Sequence, residues 1–280
     1  MKRIVTFLAL AAVLAGLASC NCGKKEKPAE DKGIAPSKTY VKPEGALRIV
    51  QYNVGVFSKE IENSIPMVAA MMQELGADAM TVNELDSCNT RHNTYQLADL
   101  AAALGGWNYY YSCAMPYREG AYGVGVTVKD KILDSFTIHL PKGEGTEPRA
   151  CSVVETEKFV LASTHLDYKS MPSMVIQAKT INDALVEKYS KVSKPVFLAG
   201  DMNATPDSDV LAELGKYWKV ISSTKPTIPV VEPRKCIDFV LVLNNGASVE
   251  VLGTAVPTVF EHGDVTVASD HLPVYVDVKI

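Results

Sequence analysis

Side chains that can bind a metal ion or transfer protons follow short apolar runs at several separate places in this 280-residue chain. Each apolar run has the length of a β-strand, and α/β proteins commonly carry their functional groups where strands end at one edge of a sheet. The polar residues at these places are Asn53, Glu84, His165, Asp201, Asn203, Asp270 and His271. Their recurrence at successive strand ends predicts that they meet in one site.

Asp238 differs from the others because it lies inside an apolar run, residues 237–243. A carboxylate in a buried strand needs a partner or a metal ion. The other residues each have an ordinary structural alternative: Asp201 and Asn203 suit a turn or a helix cap, and His165 and His271 suit structural positions. The number of coincidences favours a functional site over these separate explanations.

The residue types indicate a site for a hard divalent cation. Carboxylate and amide oxygens suit Mg²⁺ or Mn²⁺, whereas softer metals prefer thiolates. Glu84 and Asp270 can supply carboxylates, and Asn53 can supply a neutral oxygen. His165 and His271 lie close in sequence to carboxylates, an arrangement suited to proton transfer and to stabilising charge.

The elements that must position these residues alternate between short β-type runs and longer helical patterns, which predicts an α/β class. The predicted strands are 47–53, 79–83, 107–112, 122–128, 132–139, 150–155, 159–165, 196–199, 237–243, 249–254 and 272–279. The predicted helices are 61–75, 94–104, 172–189 and 207–214. Several strands between residues 107 and 165 follow one another without a helix, which favours antiparallel pairing and disfavours a purely parallel sheet.

The N-terminus has the features of an export signal. Lys2 and Arg3 precede an apolar run, residues 4–17, and residues 17–20 read Leu-Ala-Ser-Cys. This pattern resembles the signal of bacterial lipoproteins, so we expect residues 1–19 to be a signal peptide and Cys20 to carry lipid. A signal peptide without lipidation is the alternative. The prediction is an exported, lipid-anchored protein of the bacterial cell envelope, facing the periplasm or the cell surface.

Residues 20–44 are predicted to be a flexible tether, because they are charged, rich in Pro and Gly and poor in large apolar groups. Residues 45–280 are long enough for one large domain. Of the 28 basic and 32 acidic residues, the first 44 hold 8 and 4, which leaves 20 and 28 and a domain net charge of −8. This charge argues against a broad basic surface for nucleic acid.

Six motifs occur in order along the domain. They are Gln51-Tyr52-Asn53, Glu84, Thr164-His165-Leu166-Asp167, Gly200-Asp201-Met202-Asn203-Ala204-Thr205-Pro206, Ile237-Asp238-Phe239-Val240 and Ser269-Asp270-His271-Leu272-Pro273. Together they resemble the motifs of the endonuclease/exonuclease/phosphatase superfamily, which includes DNase I-like nucleases, inositol polyphosphate phosphatases and bacterial sphingomyelinases. The resemblance implies a four-layer, DNase I-like α/β (α+β) sandwich, in which two packed mixed β-sheets are flanked by helices.

The resemblance also implies a metal site. Glu84 matches the principal metal-binding acid of the family. Asn53 matches the amide that supports the metal or its water, and Asp270 matches an acid that can also bind the metal. Mg²⁺ or Mn²⁺ is the implied cofactor, and the number of metal ions stays open.

The remaining implied roles are catalytic. Asp201 matches the acid that orients and deprotonates the attacking water, and Asn203 contacts the phosphate or the nucleophile. His271 stabilises charge on the phosphoryl oxygens, and Asp238 orients its ring and favours its charged form. His165 is implied to face the phosphate from the opposite side.

Arg149 marks a departure from one branch of the family. DNase I-like nucleases keep an acid near the start of the strand before the Thr-His-Leu motif, but the comparable stretch here is Glu147-Pro148-Arg149-Ala150. Many non-nuclease members resemble this chain at that point. Arg149 is therefore a candidate to bind the substrate phosphate. A surface arginine at a strand end is the alternative.

The resulting prediction is a monomeric, metal-dependent phosphoesterase that hydrolyses phosphate mono- or diesters outside the cytoplasm. A secreted DNase I-like nuclease is the second hypothesis, disfavoured by the acidic domain and by the lack of a basic cluster beyond Arg234-Lys235. A non-catalytic surface-binding lipoprotein on the same fold is the third. Loss of Glu84, Asp201 or His271 would mark it, and all three are present.

Overall fold

The computed structural model describes residues 34–144 and 147–280. The predicted signal peptide, the predicted lipidation site at Cys20 and the first part of the predicted tether lie outside these residues. Within the described part, no helix combines the length and apolar character needed to cross a membrane.

The described part of the chain contains twelve strands and five α-helices. The strands are β1 (Leu47–Asn53), β2 (Ala79–Ser87), β3 (Asn108–Tyr117), β4 (Gly120–Val128), β5 (Asp134–Leu140), β6 (Arg149–Glu155), β7 (Val160–His165), β8 (Val196–Asp201), β9 (Trp218–Val220), β10 (Asp238–Leu243), β11 (Glu250–Ala255) and β12 (Val274–Lys279). The helices are α1 (Ile65–Leu75), α2 (Gln96–Ala103), α3 (Met171–Tyr189), α4 (Asp209–Leu214) and α5 (Val265–Ala268).

The strands form two six-stranded mixed sheets. The first has the order β11-β12-β1-β2-β4-β3, and the second has the order β5-β6-β7-β8-β10-β9. Only β1 with β2 and β7 with β8 pair in parallel among the described strands, while β3–β4, β5–β6 and β6–β7 are antiparallel. The antiparallel pairing predicted between residues 107 and 165 is therefore confirmed.

Three apolar layers hold the sheets and helices together. Ile49, Val126 and Val276 of the first sheet pack against Phe197 and Val240 of the second. Helices α1 and α2 cover the outer face of the first sheet, and α3 and α4 cover the outer face of the second. The predicted sandwich of two sheets between helices is confirmed, and burial of both faces explains why most strands read as continuous apolar runs.

Helix α1 begins later than the sequence predicted, at Ile65 rather than at residue 61. The Asn63 side chain accepts a hydrogen bond from the Ile65 amide at 3.0 Å, and Pro66 lies in the first turn, where its missing N–H costs nothing. The helix ends at Gly76, whose φ of 66° is the left-handed conformation that glycine adopts readily after a helix.

A β-bulge interrupts β2 at Glu84, the predicted metal-binding acid. The sequence predicted that this strand ends at Asn83, but pairing with β4 resumes at Leu85 after a register shift. Glu84 lies in the bulge with a φ of 59°. Bulges redirect side chains, and this one turns Glu84 away from the regular alternation of its strand.

The packed structure begins before residue 45, where the predicted tether was to end. The Ser37 amide donates to the Glu74 carbonyl at 2.8 Å, the Tyr40 ring packs against Phe260, and Lys42 forms an ion pair with Asp78. Residues 37–42 therefore contact the domain, because one aromatic ring and one lysine supply the anchoring that their polar composition does not indicate.

A buried ion pair joins the first and last strands of the chain. The Arg48 guanidinium donates from Nε and Nη2 to Asp277 at 2.7 Å and 2.6 Å, and both residues are buried. Arg48 also donates to the carbonyl oxygens of Tyr40 and Leu75 and lies 4.0 Å from the centre of the Tyr275 ring. Arg48 therefore connects β1, β12, α1 and the N-terminal segment.

Candidate active site

The site lies where strand ends of the two sheets face each other. Parallel pairing brings the carboxyl ends of β1 and β2 to one edge of the first sheet and those of β7 and β8 to one edge of the second. Asn83 connects the two edges: its amide donates to the Thr164 carbonyl at 2.9 Å, and its oxygen accepts from the Asp201 amide at 2.9 Å. Asn83 thus fixes the distance between the two halves of the site.

One cavity of about 380 Å³ lies over these edges. Six of the eight residues that the sequence singled out for catalysis or metal binding line it, together with the predicted substrate-binding arginine. They are Glu84, His165, Asp201, Asn203, Asp270, His271 and Arg149. The other two, Asn53 and Asp238, lie beneath the cavity wall and contact residues that line it.

Asp201 lies between two imidazole rings at the floor of the cavity. Its Oδ2 is 3.5 Å from His165 Nε2, 3.6 Å from His271 Nε2 and 3.1 Å from the Asn53 amide nitrogen. The carboxylate is 2 % exposed, and Asp238 lies beyond His271. Burial, followed by the negative charge of Asp238, raises the pKa of Asp201 to about 7. An aspartate with such a pKa can accept a proton near neutral pH.

Asp238 holds the His271 ring from the opposite side. His271 Nδ1 lies 2.9 Å from Asp238 Oδ2, and that oxygen also accepts from the Thr227 hydroxyl at 2.6 Å. The second oxygen of Asp238 accepts from the Gln51 amide at 3.2 Å. Asp238 thus has the partners that a buried carboxylate requires. Thr227 is a member of the site that the sequence did not reveal, because it lies in a loop without a recognisable pattern.

His271 is held in its charged form by its acidic neighbours. Burial alone would lower the pKa of His271, but Asp238, followed by Asp201 and Asp270, raises it to about 10. The folded-state pKa exceeds the unfolded value of about 6.5. Stabilisation from this interaction is therefore complete below about pH 6.5 and is lost as the pH rises through about 10.

Replacing Asp238 with asparagine should lower the pKa of His271 to its ordinary range or below, because the burial of the ring remains while its strongest counter-charge is removed. The measurement is an NMR titration of the His271 Cε1–H resonance, assigned by its loss in a His271→Gln variant. Asp183→Asn, which alters an exposed ion pair with Lys179, is the matched control. An unchanged His271 pKa in Asp238→Asn would show that the aspartate does not charge the ring.

His165, in contrast to His271, is held in its neutral form. Burial, followed by the positive charges of Arg149 and His271, lowers the pKa of His165 well below its usual value, so the ring is neutral. Arg149 Nη1 lies 3.3 Å from His165 Nδ1. Because a guanidinium can only donate, Nδ1 is the acceptor, and the proton of the neutral ring is on Nε2, facing Asp201. The site therefore has one charged and one neutral histidine on either side of Asp201.

Arg149 is a buried cavity residue, not the surface arginine that was the alternative. It is 4 % exposed and forms an ion pair with Glu147 at 3.2 Å. Its Nε has no hydrogen-bond partner within the described part of the chain. Nε itself is shielded from solvent, but the guanidinium lines the cavity, so Arg149 is suited to bind an anion that enters it.

Asn203 combines the two interpretations that the sequence offered. Its φ of 50° is left-handed, a conformation that Asn tolerates, and its amide N–H donates to Asp201 Oδ1 at 2.9 Å. This is the turn proposed as the ordinary alternative. The side-chain nitrogen donates to the Leu166 carbonyl at 3.1 Å and lines the cavity. The turn orients Asp201 and also places Asn203 in the cavity wall.

The predicted metal-binding residues lie beside Asp201, around an ammonium group. Lys59 Nζ is 3.0 Å from Asp270 Oδ2 and 3.7 Å from Glu84 Oε2. The Asn53 amide nitrogen donates to Glu84 at 3.1 Å, while its oxygen accepts from the Gly55 amide at 3.1 Å. Asn53 therefore orients Glu84 as a donor, and its oxygen is directed to the backbone rather than to the cation position.

The donor set around Lys59 fits Mg²⁺ or Mn²⁺. Two carboxylates from distant parts of the chain face one position that already favours positive charge, and hard oxygens are the ligands these ions prefer. Asp201, Asp238 and His271 also have ligand atoms within 4.8 Å of one another. We prefer the Glu84–Asp270 position, because the charged His271 ring has a proton on both nitrogens, so neither offers a lone pair to a metal ion.

One lysine, two arginines and three tyrosines of the described residues line the cavity, and only Arg149 could be anticipated from the sequence. Lys59 is the lysine and Arg91 the second arginine, and Tyr117, Tyr122 and Tyr168 are the aromatic residues. Arg91 donates to Asp86 at 2.7 Å and 2.8 Å, and its guanidinium lies 4.7 Å from the centre of the Tyr117 ring. These residues are far apart in sequence, so no local basic cluster could have indicated them.

Comparison with known proteins gives both a family match and structural neighbours. The model of the Endonuclease/Exonuclease/phosphatase family matches residues 50–271. The mannosyl-6-phosphatase of Bacteroides thetaiotaomicron VPI-5482 is 19% identical, with 84% of this chain and 100% of that chain covered and a TM-score of 0.68. The endonuclease/exonuclease/phosphatase from Bacteroides vulgatus is 18% identical, with 84% and 99% covered and a TM-score of 0.67.

A third structure comes from a distant organism. The human Nocturnin catalytic domain, solved with a bound sulfate anion, is 16% identical, with 85% of this chain and 95% of that chain covered and a TM-score of 0.66. At these identities the structures are similar to this chain in fold. No curated protein matches the chain.

Proposed function

Because this chain belongs to the endonuclease/exonuclease/phosphatase family and has its DNase I-like fold, we propose that it is a divalent-metal-dependent hydrolase of small phosphate esters. Family members act on phosphate esters, so the class of reaction follows from membership. The metal dependence, the substrate class and the location outside the cytoplasm are the parts that we propose.

The observation that carries the proposal is the position of Asp201. One oxygen of this buried carboxylate faces both His165 and His271, and Asn53 joins it to Glu84 beside the cation position. A proton acceptor, a charged donor and a cation position thus surround the same small space. Hydrolysis of a phosphate ester needs all three, because water must be deprotonated while negative charge develops on phosphoryl oxygens.

Asp201 is assigned as the general base. Its raised pKa makes it a stronger proton acceptor than an exposed aspartate, and it is ionised above about pH 7. The Asn203 amide and the Asn53 side chain hold its two oxygens, so the carboxylate meets the water in a fixed orientation. The proton of the attacking water passes to Asp201 as the oxygen approaches phosphorus.

The charge that develops on phosphorus is met by donors from both sheets. His271 keeps its proton at neutral pH and offers Nε2–H towards the cavity, while the Arg149 guanidinium lines the same cavity and supplies a second positive charge. A preorganised donor of this kind contributes about 3–4 kcal/mol to the transition state. A divalent cation held by Glu84 and Asp270 would supply further neutralisation of the phosphoryl oxygens.

The cavity supports a small phosphate ester over nucleic acid. It is about 380 Å³ in volume and is bounded by Tyr117, Tyr168 and Arg91, whereas a nucleic-acid strand needs an extended basic groove. The domain net charge of −8 points the same way. The similar fold of a mannosyl-6-phosphatase gives a sugar phosphate as the first compound to test.

An assay panel with and without metal tests the proposal. We expect wild-type protein with Mg²⁺ to hydrolyse mannose 6-phosphate or another small ester faster than DNA, and EDTA to reduce the rate by at least about 10²-fold, because the cation contributes several kcal/mol. The panel is mannose 6-phosphate, inositol phosphates, bis-p-nitrophenyl phosphate, sphingomyelin and duplex DNA. Phosphate release and strand cleavage are the measurements.

Three results would contradict the proposal. Equal rates in Mg²⁺ and in EDTA would remove the metal from the mechanism. A rate on duplex DNA above that on every small ester would favour the secreted nuclease, and no turnover of any compound would favour a binding protein on this fold. Full recovery after EDTA by adding excess Mg²⁺ is the control that chelation has not unfolded the protein.

The location outside the cytoplasm is part of the same proposal. It is supported by the apolar run at residues 4–17 and the Leu-Ala-Ser-Cys sequence that ends at Cys20. The same assays on membrane and soluble fractions of expressing cells test it. Wild-type activity should be in the membrane fraction, and wild type should incorporate a labelled fatty acid that Cys20→Ser does not; absence of label from wild type would exclude a lipid on Cys20.

A further inference from the structure

Lys59 lies in the position where the proposed metal ligands converge. Its ammonium is 3.0 Å from Asp270 Oδ2 and 3.7 Å from Glu84 Oε2. These two acids come from a bulge in β2 and from the segment just before β12, so no local feature of the chain brings them together. A single positive charge bridges them, at the mouth of the cavity that also contains Asp201.

The backbone at Gly55 leaves space for the Lys59 side chain. Gly55 has a φ of 51°, and a Cβ added there would lie 2.5 Å from Cγ and from Cε of Lys59. The lysine stem therefore lies directly on the glycine backbone, in space that a side chain at residue 55 would fill. Lys59 is 34% exposed, so it is more enclosed than a surface lysine.

The charge balance favours an ammonium that stays in place without metal. The Lys59 ammonium lies within ion-pair distance of both carboxylates, so one positive charge faces two negative charges. Two carboxylates that face one position repel each other unless a cation lies between them. Lys59 relieves this repulsion in the protein before any divalent ion binds.

We propose that Lys59 is a resident cation of the Glu84–Asp270 pair, and that a divalent metal must displace its ammonium in order to bind. The inference rests on the proposed function, because that function assigns the metal to these acids. The two cations compete for the same carboxylate oxygens, so each metal-binding event requires Lys59 to swing out. Lys59 is thus a positioning residue that weakens metal affinity and keeps the two acids aligned in its absence.

The size of the effect follows from how often the ammonium is in place. Apparent affinity falls by the fraction of molecules in which the site is open. If Lys59 occupies the site about nine-tenths of the time, removing its charge should tighten metal binding about tenfold.

The test measures Mn²⁺ binding directly, through the EPR signal of the free ion, and needs no substrate. Lys59→Met keeps the length of the stem and removes the charge, and it should bind Mn²⁺ about tenfold more tightly than wild type. Lys188→Met is the matched control, because Lys188 lies 3.0 Å from Asp134 in an exposed ion pair outside the cavity. Its Mn²⁺ affinity should equal that of wild type.

Thermal unfolding provides the second measurement. Without metal, Lys59→Met should unfold at a lower temperature than wild type, since Glu84 and Asp270 then lack a counter-cation. Adding Mn²⁺ should raise the unfolding temperature of Lys59→Met by more than it raises that of wild type. If Lys59→Met does not fold, Lys59→Gln is the substitute. If Lys59→Met bound Mn²⁺ and wild type did not, the result would support the proposal, because the Lys59 ammonium would then exclude the metal almost completely.

Unchanged or weaker Mn²⁺ binding in a folded Lys59→Met protein would overturn the inference, as would the absence of binding in both proteins. These results are distinguishable from failure of the proposed function. Metal-dependent turnover with an unchanged Mn²⁺ affinity would refute the competition alone. Tighter Mn²⁺ binding in a protein that hydrolyses no ester would refute the phosphoesterase assignment alone.

Discussion

Replacing Asp201 with asparagine should lower kcat/KM for the best ester of the panel by about 10³-fold, within the range expected for loss of a general base. Asparagine has the same shape, so the contact from Asn53 and the turn at Asn203 can persist. It cannot accept a proton from water, and it places no negative charge between the two histidines. Steady-state kinetics at pH 8 in saturating Mg²⁺ measure the loss.

The same substitution should not destabilise the fold. Burial, followed by the charge of Asp238, raises the pKa of Asp201 to about 7, above the 3.8 of an ordinary aspartate. A group whose pKa is raised on folding makes the protein less stable as the pH rises from about 3.8 through about 7. At pH 8 the neutral asparagine removes this destabilisation, so the unfolding temperature of Asp201→Asn should equal or exceed that of wild type.

Asp183→Asn is the matched control for both measurements, because Asp183 is exposed and pairs only with Lys179 among the contacts described for it. It should leave kinetics and unfolding temperature unchanged. Wild-type turnover by a folded Asp201→Asn protein would rule out Asp201 as the base. A large fall in the unfolding temperature of Asp201→Asn would mean that the neighbouring histidines and amide groups stabilise the Asp201 carboxylate more than its burial destabilises it.

Replacing Asp277 with alanine should destabilise the protein by about 3–5 kcal/mol, the range for breaking a buried ion pair from one side. Arg48 would keep its charge in a buried position and lose two hydrogen bonds of 2.7 Å and 2.6 Å. Its remaining partners are the carbonyl oxygens of Tyr40 and Leu75 and the Tyr275 ring, none of which carries a negative charge. Denaturant unfolding followed by circular dichroism gives the free energy.

A double variant separates charge from packing. Arg48→Met with Asp277→Leu removes both charges and fills the space with apolar groups, so it should be more stable than Asp277→Ala alone. It should remain below wild type, because the two carbonyl oxygens lose their donor. Asp134→Ala, at the exposed pair with Lys188, should behave as wild type. Equal stability of wild type and Asp277→Ala would contradict this account.

Much of the site could be predicted because its residues end apolar strands. Such a strand runs to a sheet edge, so a polar residue at its end is both visible in sequence and constrained in space. His165 and Asp201 illustrate this, since they end neighbouring parallel strands and are paired in register. The two sheets could be predicted for the same reason: their strands are continuous apolar runs that must be buried on both faces.

The parts that could not be predicted depend on side-chain direction or on short elements. Lys59 and Arg91 resemble ordinary solvated cations, and only the fold brings them into one cavity with Arg149. Strand β9, three residues long, and helix α5, four residues long, are too short to show a period. The bulge at Glu84 was missed because an acid at that point looks like the end of a strand.

The pairing of β1 with β12 makes the first sheet depend on a contact between strands that lie far apart in the sequence, with Leu47 opposite Val278. Strand β1 also pairs with β2, but Asp270 and His271 immediately precede β12, so their positions depend on the β1–β12 pairing. Asn83 then has to meet Thr164 and Asp201 across the interface between layers. A chain truncated before β12 can therefore form much of the second sheet and still lack a complete site, because it has lost the strand that positions Asp270 and His271.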